Sequence, residues 1–316
     1  MTVERHLVLV HTPGFQDVQD FAAIAQKVRA LAPDIEVFIA SNDIPSSVTR
    51  RRAGRLPTLV FSPGQLLDFR PVRGKVYAGN PIPKLEQLAR FRGAGLPVPA
   101  SLEITPGVTL PEAEFGPHVV VKPGYSKASH GRAMTLMRRE RVRFVPQPEY
   151  PEDHPGHYAS MFAQRFIDTG PYVNHYRVLT LFGATLLAFK TAATWERPSL
   201  DSPDDVLENI VVKARRLEGP MVREITRDPD ILGLAARVAQ ALPEIPLQGI
   251  DIVKEATTGK LFVLEANPGG NTWIFSKGAM SDRLTKALGV EHLSDPFDAF
   301  TTAAKVLIER TRREAE

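Results

Sequence analysis

Gly249-Ile250-Asp251-Ile252-Val253 and Leu261-Phe262-Val263-Leu264-Glu265-Ala266-Asn267-Pro268-Gly269-Gly270 are two apolar runs broken by acid and amide residues, with Thr257-Thr258-Gly259 between them. Both runs read as strands joined in a hairpin. A three-residue hairpin loop ends in a left-handed residue, and Gly259 supplies it. Residues equidistant from Thr258 then pair, so Asp251 lies opposite Glu265. Asn267, two residues further, shares the face of Glu265. Two carboxylates directly across a ladder repel each other. A divalent cation between them removes that repulsion, and carboxylates with an amide oxygen form a hard ligand set suited to magnesium and phosphate oxygens. A hairpin with a solvated polar face has the same spacing, so spacing alone leaves both readings open.

Working outward, His6 to His11 is a short apolar run ended by Thr12-Pro13-Gly14, as in a buried parallel strand and its turn. Val18 to Leu31 carries Phe21, Ile24, Ala25, Val28 and Leu31 at helical spacing. Ile35 to Ala40 and Leu59-Val60-Phe61 read as further strands, which makes a small parallel α/β unit. Pro83 to Gly95 reads as a helix opened by Lys84 and closed by glycine. Val119 to Lys122 is a strand running into Pro123-Gly124-Tyr125-Ser126-Lys127-Ala128-Ser129-His130-Gly131-Arg132. Small residues there let backbone N–H groups approach phosphate oxygens. The loop lacks both the Walker A spacing and the dinucleotide glycine pattern. Met161 to Ile167 is another strand. Arg177 to Thr194, containing Lys190, is a strand pair turning at Gly183. Pro229 to Leu242 and Phe297 to Arg310 are helical. Arg138 to Arg143, the densest basic stretch, reads as a solvated face.

Composition narrows the classes. The chain has 316 residues, 43% hydrophobic and 24% charged, as in a folded globular protein of more than one domain. It has no cysteine, which excludes a disulfide scaffold, a thiolate zinc site, an iron–sulfur cluster and a cysteine nucleophile. A net charge of +3 with no basic patch interleaved with aromatics gives no nucleic-acid signature. No apolar run approaches the roughly 18–20 residues that span a bilayer, and Met1-Thr2-Val3-Glu4-Arg5 lacks the form of a signal peptide. The expectation is a soluble cytoplasmic protein.

The order Lys84 helix, Gly95-Leu96-Pro97-Val98-Pro99, V-V-V-K-P with a small-residue loop, Q-R-F-I, Arg177, Lys190 and G-I-D-I-V…L-E-A-N-P-G-G resembles the ATP-grasp superfamily of carboxylate–amine ligases. It is similar to D-alanine–D-alanine ligases and to ribosomal-protein glutamate ligases. The resemblance implies a mixed α/β fold in three parts: an N-terminal parallel α/β domain (1–80), a central ATP-grasp subdomain (81–166) and a C-terminal domain (167–316) carrying the metal site. ATP would lie between two antiparallel sheets. It implies that Lys84 and Lys122 meet ATP phosphates and that the loop with Ser126, Ser129 and Gly131 covers them. Gln164 and the backbone at Arg165, Phe166 and Ile167 would face adenine, and Asp168 a ribose hydroxyl. Asp251, Glu265 and Asn267 match ligands for Mg2+, with Mn2+ as a substitute. Arg177 and Lys190 would face the phosphates or an acyl phosphate, and Lys122, Arg177 and Lys190 form the implied catalytic set.

The implied activity is ATP-dependent joining of a carboxylate to an amine, with release of ADP and phosphate. Small-molecule amino acids or peptides are the implied substrates, without nucleic acid or membrane partners, and a homodimer is common among relatives. Two departures bear on substrate. Gly249 stands where D-alanine–D-alanine ligases carry an arginine, and His175 stands where many glutamate-adding relatives carry an acid. Asn271, Trp273 and Ser276, the Thr12-Pro13-Gly14 turn and the basic Lys213-Ala214-Arg215-Arg216 stretch are candidate substrate contacts, although Trp273 also reads as core. A phosphotransferase acting on a hydroxyl, or a nucleotide-binding regulator, would share the same nucleotide residues.

Overall fold

A computed structural model describes residues 2–45, 47–124, 134–213, 221–269 and 273–316, with the side chains of 209–213 left aside. Ser126, Ser129, Gly131, Asn271 and the 214–216 part of the basic stretch lie outside the described residues.

The first unit is a parallel sheet in the order β2-β1-β3-β4, built from β1 (Arg5–His11), β2 (Ile35–Ser41), β3 (Thr58–Ser62) and β4 (Lys75–Ala78). Helix α1 (Val18–Leu31) starts at Asp17, whose carboxylate accepts the Gln19 N–H, and buries Phe21, Ile24, Ala25 and Val28 as its spacing dictates. The short α2 (Val48–Ala53) precedes β3.

Helix α3 (Lys84–Gly93) leads into an antiparallel sheet ordered β5-β8-β6-β7, formed by β5 (Ser101–Glu103), β6 (His118–Pro123), β7 (Thr135–Arg138) and β8 (Met161–Arg165). The one-turn α4 (Glu112–Phe115) lies between β5 and β6. The third sheet is also antiparallel, ordered β11-β10-β9-β12-β13, from β9 (Asn174–Leu181), β10 (Ala184–Ala193), β11 (Met221–Ile225), β12 (Leu247–Lys254) and β13 (Leu261–Pro268). Helix α5 (Asp204–Lys213) stands between β10 and β11 in sequence and packs on β7 of the central sheet. There Asp204 meets Arg138 at 3.1 Å and Arg141 at 3.0 Å, so part of the basic stretch joins two units while Arg141 stays exposed.

The two faces of the third sheet have different tasks. On one, α6 (Pro229–Ala241) buries Ile231, Leu234, Ala235 and Val238 against Val178, Ala188, Ile250 and Ile252. On the other, after α7 (Ala279–Leu288), α8 (Ala299–Glu314) inserts Ala303, Ala304, Leu307 and Ile308 between the first sheet (Leu7, Leu9, Leu59, Phe61) and the third (Leu179, Leu181, Leu187, Phe189). The apolar part of this second face ends at Leu179 and Leu247. Beyond it the same face carries Gly249, Asp251 and Arg177.

Candidate active site

The carboxylates meet across β12 and β13. Asp251 pairs with Glu265, and Gly249 with Asn267. The turn differs from the three-residue loop that Gly259 suggests. Lys254 pairs with Leu261, and the Glu255 N–H donates to Lys260 O at 2.9 Å, which leaves a four-residue connection with Gly259 at φ 69°. A bulge between Asp251 and Ile252 then admits Leu264 as an extra residue on β13. Parity flips across it, so Val263 and Ala266 both point into the core with α6 while Glu265 and Asn267 point the other way.

Asn267 Nδ2 lies 3.2 Å from Asp251 Oδ2 and 3.3 Å from Glu265 Oε1, so the three side chains converge on one point. Turning the amide over aims Oδ1 at the same point. Cations surround them. Lys84 Nζ, at the start of α3, is 3.0 Å from Glu265 Oε2, and Arg177 Nε is 2.9 Å from Asp251 Oδ1. Arg177 Nη1 also donates to Gly249 O at 3.1 Å. Burial opposes ionisation of both carboxyls, but the outcomes diverge. For Glu265 the charges of Lys84 and Lys122 outweigh burial and hold its pKa down. For Asp251 burial wins over Arg177, repulsion from Glu265 adds to it, and the pKa is pushed up.

Lys122 reaches this group from the central sheet. It is 5% exposed, with Nζ 2.8 Å from Gln164 Oε1 and 5.3 Å from the Phe162 ring centroid. Burial lowers its pKa to about 8, against the pull of Glu265. Gln164 therefore holds Lys122, and its Nε2 donates to Ser101 Oγ at 3.1 Å. It is 2% exposed, so the amide expected from the sequence to face adenine is engaged within the chain at both ends.

Three more expectations change with the geometry. The Arg165 and Phe166 N–H groups donate to Ala100 O and His118 O, and the Arg165 side chain pairs with Glu255 at 2.8 Å. The Ile167 N–H is the hinge amide that bonds no described residue. Asp168 Oδ1 accepts from Arg197 Nη2 at 2.9 Å and from the Gly170 N–H at 2.8 Å, so this oxygen braces a loop while the side chain stays exposed. Lys190 pairs with Tyr176 and its Nζ lies 5.8 Å from that ring, whereas Arg177 pairs with Phe189. Adjacent positions on a strand face opposite ways, so Lys190 stands on the α6 side of the sheet, away from Arg177 and Asp251.

The segment after the carboxylates is anchored to the first unit. A Cβ at Gly79 would fall 2.1 Å from Pro63 O and 2.5 Å from Gly269 Cα, so only glycine permits this backbone approach. Trp273 is 3% exposed, and its Nε1 donates to Asp20 Oδ2 at 2.9 Å. Ser276 Oγ donates to the same oxygen at 2.6 Å and accepts the Asp17 N–H at 2.8 Å. Both side chains thus serve the contact with α1. In the Thr12 turn, the Thr12 N–H donates to Gln16 Oε1 at 2.6 Å, and Gly14 takes φ 81°.

Two carboxylates and an amide oxygen converging inside a ring of two lysines and an arginine fit a hard divalent cation with a polyphosphate. Among the described residues no helix is long and apolar enough to cross a membrane. No protein-family model matches the sequence, and no curated protein matches it. Among solved structures, the chain is similar to the ATP-grasp ligase PsnB complexed with minimal precursor, at 18% identity and a TM-score of 0.51, over 98% of this chain and 100% of that one. PsnB complexed with a phosphomimetic variant of minimal precursor, Mg and ADP aligns at 17% identity and a TM-score of 0.50, over the same shares. With one parallel sheet, two antiparallel sheets and the cation ring between the latter, this chain has the ATP-grasp fold.

Proposed function

We propose that this protein is an ATP-dependent ligase that activates a carboxylate as an acyl phosphate and joins it to an amine, releasing ADP and phosphate. The observation that carries the reading is the convergence of Asp251, Glu265 and Asn267 with Lys84, Lys122 and Arg177. Residues 1–80, 81–166 and 167–316 act as its three domains. Asp251, Glu265 and Asn267 hold Mg2+, or Mn2+ in its place, and the ion neutralises phosphate oxygens when bound. Lys84 and Lys122 bind phosphates, and Lys84 leaves Glu265 to do so.

In the reaction a substrate carboxylate oxygen attacks the γ-phosphorus and the bond to ADP breaks. The amine nitrogen then attacks the acyl carbon, the carbon–oxygen bond to phosphate breaks, and the nitrogen gives up a proton. The chain's contribution is positioning and charge, because the transferred phosphoryl group needs little covalent help. Lys122, buried and held by Gln164, presents a fixed charge to the phosphoryl oxygens. Arg177 is placed to do so from the opposite sheet. PsnB is complexed with minimal precursor in the similar structure, which supports a peptide or amino-acid substrate here.

The test is phosphate release from MgATP against pooled amino acids and short peptides, with products weighed by mass spectrometry. A product one water lighter than its two parts is expected. A stable phosphate ester formed with a single acceptor would replace the ligase with a phosphotransferase. Glu265→Ala is expected to abolish turnover in a folded protein, and retained turnover would refute the cation assignment.

A further inference from the structure

Helix α3 meets the outer edge of β13 at two points one turn apart. Lys84 supplies the ion pair with Glu265. Gln87, three residues on and therefore on the same side of the helix, is 3% exposed. Its Oε1 accepts the Ala266 N–H at 3.1 Å, and its Nε2 donates to Ile82 O at 2.9 Å. Among the described residues, strand β13 is the last in its sheet and has β12 as its only strand partner. Its outward N–H groups therefore need partners from elsewhere when buried. The Val263 N–H finds one in Pro97 O at 2.8 Å, and the Ala266 N–H finds Gln87. Helix α3 and the loop after it thus stand in for a missing neighbouring strand.

Ala266 is the residue between Glu265 and Asn267. Its N–H belongs to the peptide unit that joins it to Glu265, so holding it fixes the backbone directly after Glu265 and one residue before Asn267. Just before it, the bulge at Leu264 leaves that part of the ladder with β12 irregular, so the outer edge is where the strand needs restraint. Glutamine suits the position because one amide gives an acceptor for Ala266 and a donor for Ile82.

We propose that Gln87 is a positioning residue that sets Glu265 and Asn267 for the divalent cation. The proposal rests on the reading of those residues as cation ligands. The test is Mn2+ binding in the presence of ADP, followed by electron paramagnetic resonance, with amide exchange at Ala266 and thermal stability measured alongside. Gln87→Met keeps the length and removes the acceptor, and Gln87→Asn is one methylene too short to reach. Each is expected to weaken Mn2+ binding about tenfold, as loss of a ligand-orienting partner does, and to speed Ala266 exchange. Gln87→Glu, which keeps an acceptor, is expected to restore most of the affinity.

Asn42→Leu is the control. Asn42 is 2% exposed and bonds the Leu67 N–H at 3.0 Å and Gln65 O at 2.9 Å in the first unit. It is expected to lower stability without moving Mn2+ affinity. Wild-type affinity in Gln87→Met or Gln87→Asn with Ala266 protection gone, or an equal loss in Asn42→Leu, would overturn the role of Gln87. Failure of the wild-type protein to bind Mn2+ with ADP would instead remove the cation site, and the proposal with it.

Discussion

Replacing Lys122 with methionine measures how far this site is built around a buried ammonium. Burial lowers the Lys122 pKa from 10.5 to about 8, with Glu265 and Asp251 resisting the shift and Lys84 adding to it. Below pH 8 folded and unfolded chains both carry the proton, and burial exacts a constant cost. Between pH 8 and 10.5 the unfolded chain still binds it while the folded chain has released it, so stability rises with pH. Integrating that difference from pH 7 to 10 gives about 2.5 kcal/mol from this one group. Urea unfolding of wild type and Lys122→Met across that range reads it, with the upward shift of Asp251 and Glu265 that follows loss of the Lys122 charge measured separately at lower pH. The methionine also leaves Gln164 Oε1 without its partner, which offsets the curve but not its slope. A stability difference that stays constant to within about 0.5 kcal/mol would refute a buried charged lysine. The functional corollary concerns nucleotide binding. Polyphosphate beside Lys122 raises its pKa again, so binding of ADP or ATP is expected to take up a proton above pH 8 and to weaken as pH rises. Calorimetry in buffers of different ionisation enthalpy reads that proton directly.

The opposite facing of Arg177 and Lys190 is tested by MgADP affinity: Arg177→Ala is expected to lose about tenfold or more through the missing charge-assisted contact, and Lys190→Ala to stay within about twofold, because Lys190 stands on the other side of the sheet. Gly79→Ala forces a methyl against Pro63 O and Gly269 Cα, and calorimetric unfolding is expected to show a loss of about 3 kcal/mol or more. Asp168→Ala removes the acceptor for Arg197 and the Gly170 N–H, and is expected to cost about 1–3 kcal/mol of stability while leaving nucleotide affinity unchanged. A large affinity loss there would reinstate the ribose contact.

How much of this was legible depended on whether a feature was local. The amphipathic spacing of α1 and the apolar runs of β1 to β3 are local, and the first unit follows from them. The opposition of Asp251 and Glu265 was also legible, through two one-residue differences that cancel. The connection has four residues where Gly259 suggested three, and Leu264 restores the register as a bulge. Within Phe262-Val263-Leu264 every residue is apolar, so no alternation marks the extra one. The grip of Gln164 on Lys122 spans 42 positions between paired strands, and the bond from Gln87 to Ala266 spans 179. Nothing near either glutamine in sequence marks its partner.

Lys190 shows the same physics with the opposite outcome. Phe182 and Gly183 both take positive φ, at 49° and 91°, and close a two-residue hairpin of the primed-turn kind between β9 and β10. Next to the turn, Ala184 pairs with Leu181 and Thr185 with Thr180. Continued without interruption, that register would set Ala188 opposite Arg177 and Lys190 opposite His175, placing lysine and arginine on one face. The ladder instead shifts between Thr185 and Leu187. Leu186 and Leu187 are both fully buried and both belong to the core with α8, whereas neighbours on a regular strand face opposite sides of the sheet. The core takes two consecutive leucines, and the strand accommodates them with one extra residue. Every later side chain on β10 changes face: Phe189 takes the place opposite Arg177 that Ala188 would have held, and Lys190 turns to the other side of the sheet. One apolar side chain more than the alternation allows thus removes a cation from the side of the sheet that carries Asp251 and Glu265, leaving Lys84, Lys122 and Arg177 around those carboxylates.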